Sequence, residues 1–232
     1  MKRVIVFMLL ALLSYSTLNG QGHIGIGNKL TFTVENSEEN MALLFKVMAA
    51  FADSAETANT NMDSMQRVFT KMMQDKARQA RKFPNEIYIK INKSGWMRQT
   101  FYANKYTDYI QYFNDNDSIE VYDQQHPELS PRKIALLRDT CDFTIETDKQ
   151  NTKNIEGFNC YYVKVVERNN SETEELIGDG IYEMYVNEEI PLSMYALLIN
   201  DCRISGFFPL EAKMYHSKTP DAYSIYKLSK VE

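Results

Sequence analysis

The sequence is poor in the residues from which most catalytic and metal centres are built. It has three histidines, three cysteines and one tryptophan among 232 residues. The histidines, His23, His126 and His216, lie far apart, and none has a histidine or cysteine partner at metal-ligand spacing. The nucleophile elbow, the P-loop, the dinucleotide-binding glycine motif and the H-E-x-x-H zinc motif are also missing. We therefore expect no catalytic residue, no metal ligand and no cofactor, and we predict that the chain is not an enzyme.

One catalytic alternative does not need a sequence motif. The chain has 31 acidic residues, and two carboxylates brought together by folding can hydrolyse a glycosidic bond. Sequence spacing does not reveal such a pair, so an unrecognised hydrolase stays the third-ranked alternative.

An excess of positive charge is missing as well. The 26 basic residues are outnumbered by the acidic ones, and the net charge is −5. Nucleic-acid binding depends on lysine and arginine neutralising phosphates, and binding to anionic membranes depends on polybasic stretches. We therefore expect no nucleic-acid partner.

The one long apolar run stands at the N-terminus. Lys2 and Arg3 precede the apolar residues 4–13, and small and polar residues follow as far as Gln21. This order is typical of a secretory signal peptide, and the run is shorter than the roughly 20 residues of a membrane-spanning helix. We predict that residues 1–20 are removed, that residues 21–232 form a single β-rich domain, and that this domain is not stably inserted in a membrane.

The cysteine positions bear on anchoring and on redox state. The first cysteine is Cys141, so no cysteine near residue 20 could carry an acyl chain. We expect an exported protein, periplasmic or extracellular, that is not lipid-anchored. Cys141, Cys160 and Cys202 could form one disulfide with one thiol left over, or could be three buried thiols; the sequence does not choose between these arrangements.

Most of the chain has the two-residue period of β-strands. Leu30, Phe32 and Val34 alternate with polar residues, and similar segments recur from Glu86 to Lys230. Residues 92–95 are expected to form a turn between two of them. We predict an α+β protein, mainly antiparallel, with a curved sheet or half-barrel of about nine strands. Ser130 and Pro131 additionally predict a short helix over residues 132–138.

Residues 37–82 have a different period. Apolar residues recur at spacings of three and four, Ser37 is a candidate N-cap, and Pro84 ends the pattern. Six of the twelve methionines lie here. We predict a helical insertion over 37–82, packed on the concave face of the sheet. The candidate residues for lining an apolar site are Met41, Phe45, Met48, Met65, Phe69 and Met72 of this insertion, with Trp96, Phe101 and Tyr112 of the strands.

The methionines have two interpretations. Methionine is flexible and polarisable, so it suits a surface that adapts to an apolar ligand. The apolar stripe of a helix is also the ordinary means of packing it onto a sheet. The sequence leaves both open.

A family resemblance enters in the C-terminal half. Thr152-Lys-Asn-Ile-Glu-Gly-Phe-Asn-Cys160 is followed by an aromatic segment ending in Ile190-Pro191 and then by residues 204–210, Ile-Ser-Gly-Phe-Phe-Pro-Leu. This order resembles the exported proteins of Bacteroidota-type bacteria grouped as GLPGLI and a related domain of unknown function. The resemblance covers about residues 140–215, and the Gly-Leu-Pro-Gly-Leu-Ile signature itself is absent.

The resemblance implies a curved antiparallel sheet similar to the lipoprotein carriers of the LolA/LolB type, in which a half-barrel holds acyl chains. It carries over no catalytic residue. On this basis we expect a non-catalytic envelope protein that binds a lipid or lipoprotein tail, or acts as its carrier. The alternative is a protein-interaction or envelope-assembly factor with a filled core, whose partner is another envelope protein. Gly157 is expected to occupy a turn that requires positive φ.

Overall fold

One antiparallel sheet organises the protein. The computed structural model describes residues 24–40, 42–43, 46–47, 84–102, 105–113, 118–123, 132–135, 142–170, 174–198, 204 and 206–232. The sheet is open and curved, as predicted. Its eleven strands are β1 (Lys29–Asn36), β2 (Glu86–Asn92), β3 (Gly95–Tyr102), β4 (Lys105–Phe113), β5 (Ser118–Asp123), β6 (Arg132–Ala135), β7 (Phe143–Ile155), β8 (Phe158–Glu167), β9 (Gly180–Asn187), β10 (Phe208–His216) and β11 (Thr219–Val231).

Two meanders share this sheet. The spatial order is β6-β5-β4-β3-β2-β1-β11-β10-β9-β8-β7, so every adjacent pair of strands is consecutive in sequence except β1 and β11. The consecutive strands β6 and β7 form the two opposite edges. That central pair is antiparallel and runs from Leu30 opposite Val231 to Asn36 opposite Ser224. The backbone of Lys29 also exchanges two hydrogen bonds of 2.9 Å with that of Glu232.

Two tight turns match their sequence predictions. Asn92 and Gly95 pair directly at the end of the β2–β3 hairpin. Glu156 and Gly157 connect β7 to β8 with φ values of 50° and 86°. Positive φ at both central residues is typical of a type I′ turn, whose twist suits a two-residue hairpin. The predicted positive φ of Gly157 is therefore confirmed.

The core lies on one face of the sheet, here called the inner face. Alternate residues of the central strands are buried there, because successive side chains of a strand point to opposite faces. Phe32 of β1 and Phe208 of β10 are fully buried and meet edge to face at 6.0 Å between ring centroids. The inner-face residues of the strands include Leu30, Phe32, Val34, Ile87, Ile89, Ile91, Trp96, Val163, Val165, Tyr182, Met184, Val186, Leu210, Ala212, Tyr226 and Leu228.

The segment between β9 and β10 covers part of the inner face. It includes the short helix α2 (Tyr195–Leu198), which packs against β2 and β3. Met194 and Leu197 are fully buried. Burial on this scale contributes about 1.5–3 kcal/mol per large apolar side chain. The other short helix, α1 (Glu174–Ile177), precedes β9.

The helical insertion begins where the sequence predicts. Residues 38–40, 42–43 and 46–47 are helical. The Ser37 hydroxyl, however, accepts a hydrogen bond of 2.9 Å from the Tyr223 backbone N–H of β11, so it ties the helix start to the sheet. Leu43 packs with Ile177 and Ala222 in a small second cluster. The rest of the insertion up to Phe83 lies outside the described residues.

One predicted helix is wrong. Arg132–Ala135 forms β6 and pairs with β5, with Ile134 opposite Ile119. Cross-strand pairing has overridden the local helix-start signal of Ser130 and Pro131, because capping residues are only a weak preference. The added edge strand helps to explain why the sheet exceeds the predicted nine or so strands. Within the described part of the chain, no helix combines the length and the apolarity needed to cross a membrane.

We predict that Leu197→Ala lowers the free energy of unfolding by about 2–5 kcal/mol, because it leaves a cavity under α2. Chemical denaturation measures this change. Ile26→Ala is the matched control, since Ile26 is 67% exposed and its truncation should change stability by less than about 0.5 kcal/mol. Equal effects of the two substitutions would show that α2 does not contribute to the core.

Candidate functional site

An apolar row crosses the inner face towards the β6 edge. Ile91 of β2 is opposite Trp96 of β3, and Trp96 is opposite Tyr112 of β4. Tyr112 is opposite Ile119 of β5, which is opposite Ile134 of β6. Directly opposed residues share a face of an antiparallel sheet. These five residues therefore form one register row, here called the inner row, which begins on the inner face with the buried Ile91 and Trp96.

The segment between β9 and β10, which covers part of the inner face, contacts the inner row at Trp96. This residue is 3% exposed and lies against Tyr195 of α2, with 6.1 Å between ring centroids. The predicted lining residue Trp96 is thus an inner-face residue beside α2. The predicted lining residue Tyr112 follows it in the inner row by register.

Phe101 lies on the face of the sheet opposite the inner face. It is opposite Glu86 of β2, and its ring lies 4.4 Å from that of Tyr88. Phe101 is five positions from Trp96, an odd separation, so the two residues point to opposite faces of β3. The structure does not bring Phe101 together with Trp96. Of the remaining candidate lining residues, Met41, Phe45, Met48, Met65, Phe69 and Met72 all lie outside the described residues.

Polar residues interrupt the inner face, beginning at Arg98 in the register row beside the inner row and continuing away from it. Arg98 and Thr100 of β3 and Ser224 of β11 are buried. Burial raises the pKa of the Tyr226 phenol, and the positive charge of Arg98 opposes part of that rise. The Ser224 hydroxyl donates to Asn36 at 2.6 Å. Polar groups in such a setting fix orientation, whether of the core itself or of a bound molecule.

The opposite face, here called the outer face, carries tyrosines among lysines and glutamates. Tyr162 of β8 and Tyr185 of β9 are cross-strand partners whose rings meet edge to face at 5.8 Å. Tyr162 donates to Glu183 at 3.3 Å. Burial and the nearby Glu183 carboxylate raise the pKa of Tyr162 to about 12. Such cross-strand contacts stabilise a solvated sheet face and need no ligand to explain them.

A third tyrosine joins a hydrogen-bonded group near the end of β9. The Tyr161 hydroxyl donates to Glu188 at 2.5 Å, and Lys149 donates to the same oxygen at 3.0 Å. Burial, followed by these contacts with Glu188, raises the pKa of Tyr161. The hydrogen bond from Tyr161 also lowers the pKa of Glu188. A phenol held protonated in this way is a poor general base. The contacts of Glu188 instead hold the Lys149 side chain near the Tyr161 hydroxyl.

The candidate reactive groups fall into no cluster within the described chain. No three histidine, cysteine, aspartate or glutamate residues of that part lie where they could hold a metal ion. Cys160 is a buried free thiol whose pKa is raised to about 11, chiefly by burial and then by Glu211. A thiol with a raised pKa is a poor nucleophile. Cys141 and Cys202 lie outside the described residues.

Sequence reasoning missed one half-buried polar pair. His216 of β10 is opposite Thr219 of β11 across the turn at residues 217–218. The His216 Nδ1 and Thr219 Oγ1 atoms are shielded from solvent, and neither has a hydrogen-bond partner among the described residues. Burial lowers the pKa of His216, although Glu167 and the backbone of Asp179 oppose the shift. Only the hairpin register brings the two residues together.

Comparison with protein-family models, curated protein sequences and solved structures found no match to this chain. The resemblance to GLPGLI-type exported proteins therefore stays a prediction from the residues that carry it.

We predict that His216 makes the protein less stable as the pH falls below about 6.5. Its pKa is lowered in the folded state, so the unfolded chain binds the proton more readily and protonation favours unfolding. The stability is fully present above the ordinary histidine pKa and declines as the pH drops towards the folded value. Chemical denaturation between pH 7 and pH 5 should show a steeper loss for the wild type than for His216→Gln. Parallel curves would contradict this prediction.

Proposed function

We propose that this chain is a non-catalytic, exported envelope protein that binds an apolar ligand, such as a lipid acyl chain or a lipoprotein tail, or acts as its carrier. The ligand lies on the inner face of strands β3 to β6. The observation that carries the proposal is the inner row, which stays apolar from Ile91 to Ile134.

The position of α2 supports this location. The helix packs against β2 and β3, whereas the inner row continues across β4, β5 and β6. Apolar residues on a sheet face are stable when something apolar covers them. The methionine-rich insertion is the sequence candidate for one wall of the site, because methionine adapts to ligands of different shapes.

The register row next to the inner row contains two arginines on strands β3 and β6. Arg98 of β3 is opposite Ile110 of β4, and Val121 of β5 is opposite Arg132 of β6. An apolar surface with a few fixed polar groups is typical of small-molecule sites. This mixture fits an amphipathic lipid better than a purely hydrocarbon ligand.

The second candidate function is a protein-interaction or envelope-assembly factor with a filled core. It is favoured by the complete burial of Met194 and Leu197, which belong to the segment that covers the inner face. The two functions differ in whether the inner face admits a ligand beside Trp96.

Trp96 allows a direct test because it is the only tryptophan. A fatty acid brominated in mid-chain quenches tryptophan fluorescence by contact. We expect it to quench Trp96 in a saturable way, while the unbrominated acid competes and does not quench. Native mass spectrometry of the purified protein gives the stoichiometry.

A variant pair controls this test. Ile119→Glu places a charge in the inner row and should weaken binding by about tenfold or more, since it removes most of the free energy of burying one large apolar side chain. Glu120→Gln alters the adjacent residue, which is on the outer face by register, and should leave affinity unchanged. Circular dichroism checks that both variants fold. No quenching at saturating probe, with no lipid retained, would favour the filled-core function.

A further inference from the structure

The β7 edge of the sheet is unusually exposed. Eleven successive residues, 144–154, are exposed along this strand. Among the described residues β7 pairs only with β8, so its other side ends the sheet. Such an edge presents unpaired backbone N–H and C=O groups that another strand can bind.

Only the first part of this edge is regular. The pairing of β7 with β8 is continuous from Phe143 to Asp148 and resumes at Thr152. Between them, the Asp148 carboxylate accepts hydrogen bonds from the backbone N–H groups of Gln150 and Asn151, at 3.0 and 3.2 Å. This bulge interrupts strand addition, as bulges on edges commonly do. The accessible segment is therefore Phe143–Asp148, here called the open edge.

The lysines of β7 form ion pairs within the protein, whereas its acidic residues form none within the described part of the chain. Lys149 binds Glu188 at 3.0 Å, and Lys153 binds Glu211 at 2.6 Å. The two lysines of the strand are thus already paired with neighbouring glutamates. Glu146 is opposite Lys164 of β8 but forms no ion pair or hydrogen bond with a described residue. The Asp148 carboxylate accepts the two backbone hydrogen bonds of the bulge and forms no ion pair with a described lysine or arginine.

The open edge also has an apolar side. Ile145 is 40% exposed. Only one other large hydrophobic residue of the described chain, Ile26, is also exposed. Ile145 shares a strand face with Phe143, while Glu146 and Asp148 share the other, because side chains alternate along the strand. The edge therefore combines an apolar face with an acidic one.

This pattern argues against pairing with a second copy of the chain. In an antiparallel self-pairing that keeps both inner faces on one side, even-numbered residues meet even-numbered residues. Glu146 would then face Glu146 or Asp148 of the other copy, or it would face Thr144 and bring Asp148 opposite Asp142. Like charges directly opposite each other destabilise a sheet.

We propose that the open edge binds an extended, basic segment of another polypeptide by strand addition. The added strand carries lysine or arginine at alternate positions, facing Glu146 and Asp148, and apolar residues facing Phe143 and Ile145. Backbone hydrogen bonds supply the attachment, and the alternate side chains supply the specificity.

Synthetic peptides test this proposal with the whole protein. The probe is an end-capped nine-residue peptide of alternating lysine and valine, and its matched control has glutamate in place of lysine. We expect the basic peptide to bind in calorimetry, to slow amide exchange of residues within 143–148, and to weaken as salt is raised. The acidic peptide should not bind.

A double variant separates the edge from general charge attraction. Glu146→Gln with Asp148→Asn keeps the acceptor oxygen of the bulge and should weaken binding about two- to thirtyfold, the range for two cross-strand charge pairs. Glu35→Gln with Asp221→Asn removes the same charge from β1 and β11 and should leave affinity unchanged. Equal losses in both double variants, equal binding of both peptides, or exchange protection outside residues 143–148 would overturn the proposal. None of these results depends on the apolar ligand.

Discussion

The pairing of β1 with β11 is the constraint on which the whole sheet depends. Each meander pairs strands that follow one another in sequence, but only this pair joins the two meanders, between residues far apart in sequence. It also places Leu30 and Phe32 at the centre of the core, where both are fully buried. A non-local pair of this kind has a large loop-closure cost. Burial of the central strands offsets that cost, so the core and the continuity of the sheet form together.

A continuous sheet gives the molecule two faces of different chemistry. The strand pleat directs the core residues inward and places Tyr162 and Tyr185, with lysines and glutamates, on the outer face. Phe101 illustrates how strict this division is, because an odd separation from Trp96 is enough to place it beside Tyr88 on the outer face. The inner face is therefore the natural place for an apolar ligand. On the outer face, polar side chains pair with one another across strands, as Tyr162 and Glu183 do.

The sequence predicted what is local and failed where pairing is distant. The alternation of apolar and polar residues predicted β1, and Gly157 predicted the turn between β7 and β8. Both features depend on only a few neighbouring residues. Arg132–Ala135 was misassigned to a helix, since its strand state depends on Ile119 across the sheet. The segment that contains Met194 and Leu197 has no helical or strand periodicity from which its position over the sheet could be predicted. Among the candidate lining residues, Trp96 lies on the inner face, whereas strict alternation along β3 places Phe101 on the other face.

The two proposed binding regions lie at opposite ends of one sheet. Strands β3 to β6 form one end and β7 the other, with β1 and β11 between them. At about 4.8 Å per strand, β4 and β7 are separated by roughly 40 Å along the sheet. Direct contact between a ligand on one and a peptide on the other is excluded by that spacing. Any influence of one on the other would have to pass through the central pair, whose packed residues leave little room for a second arrangement. The physical expectation is that the two regions act independently.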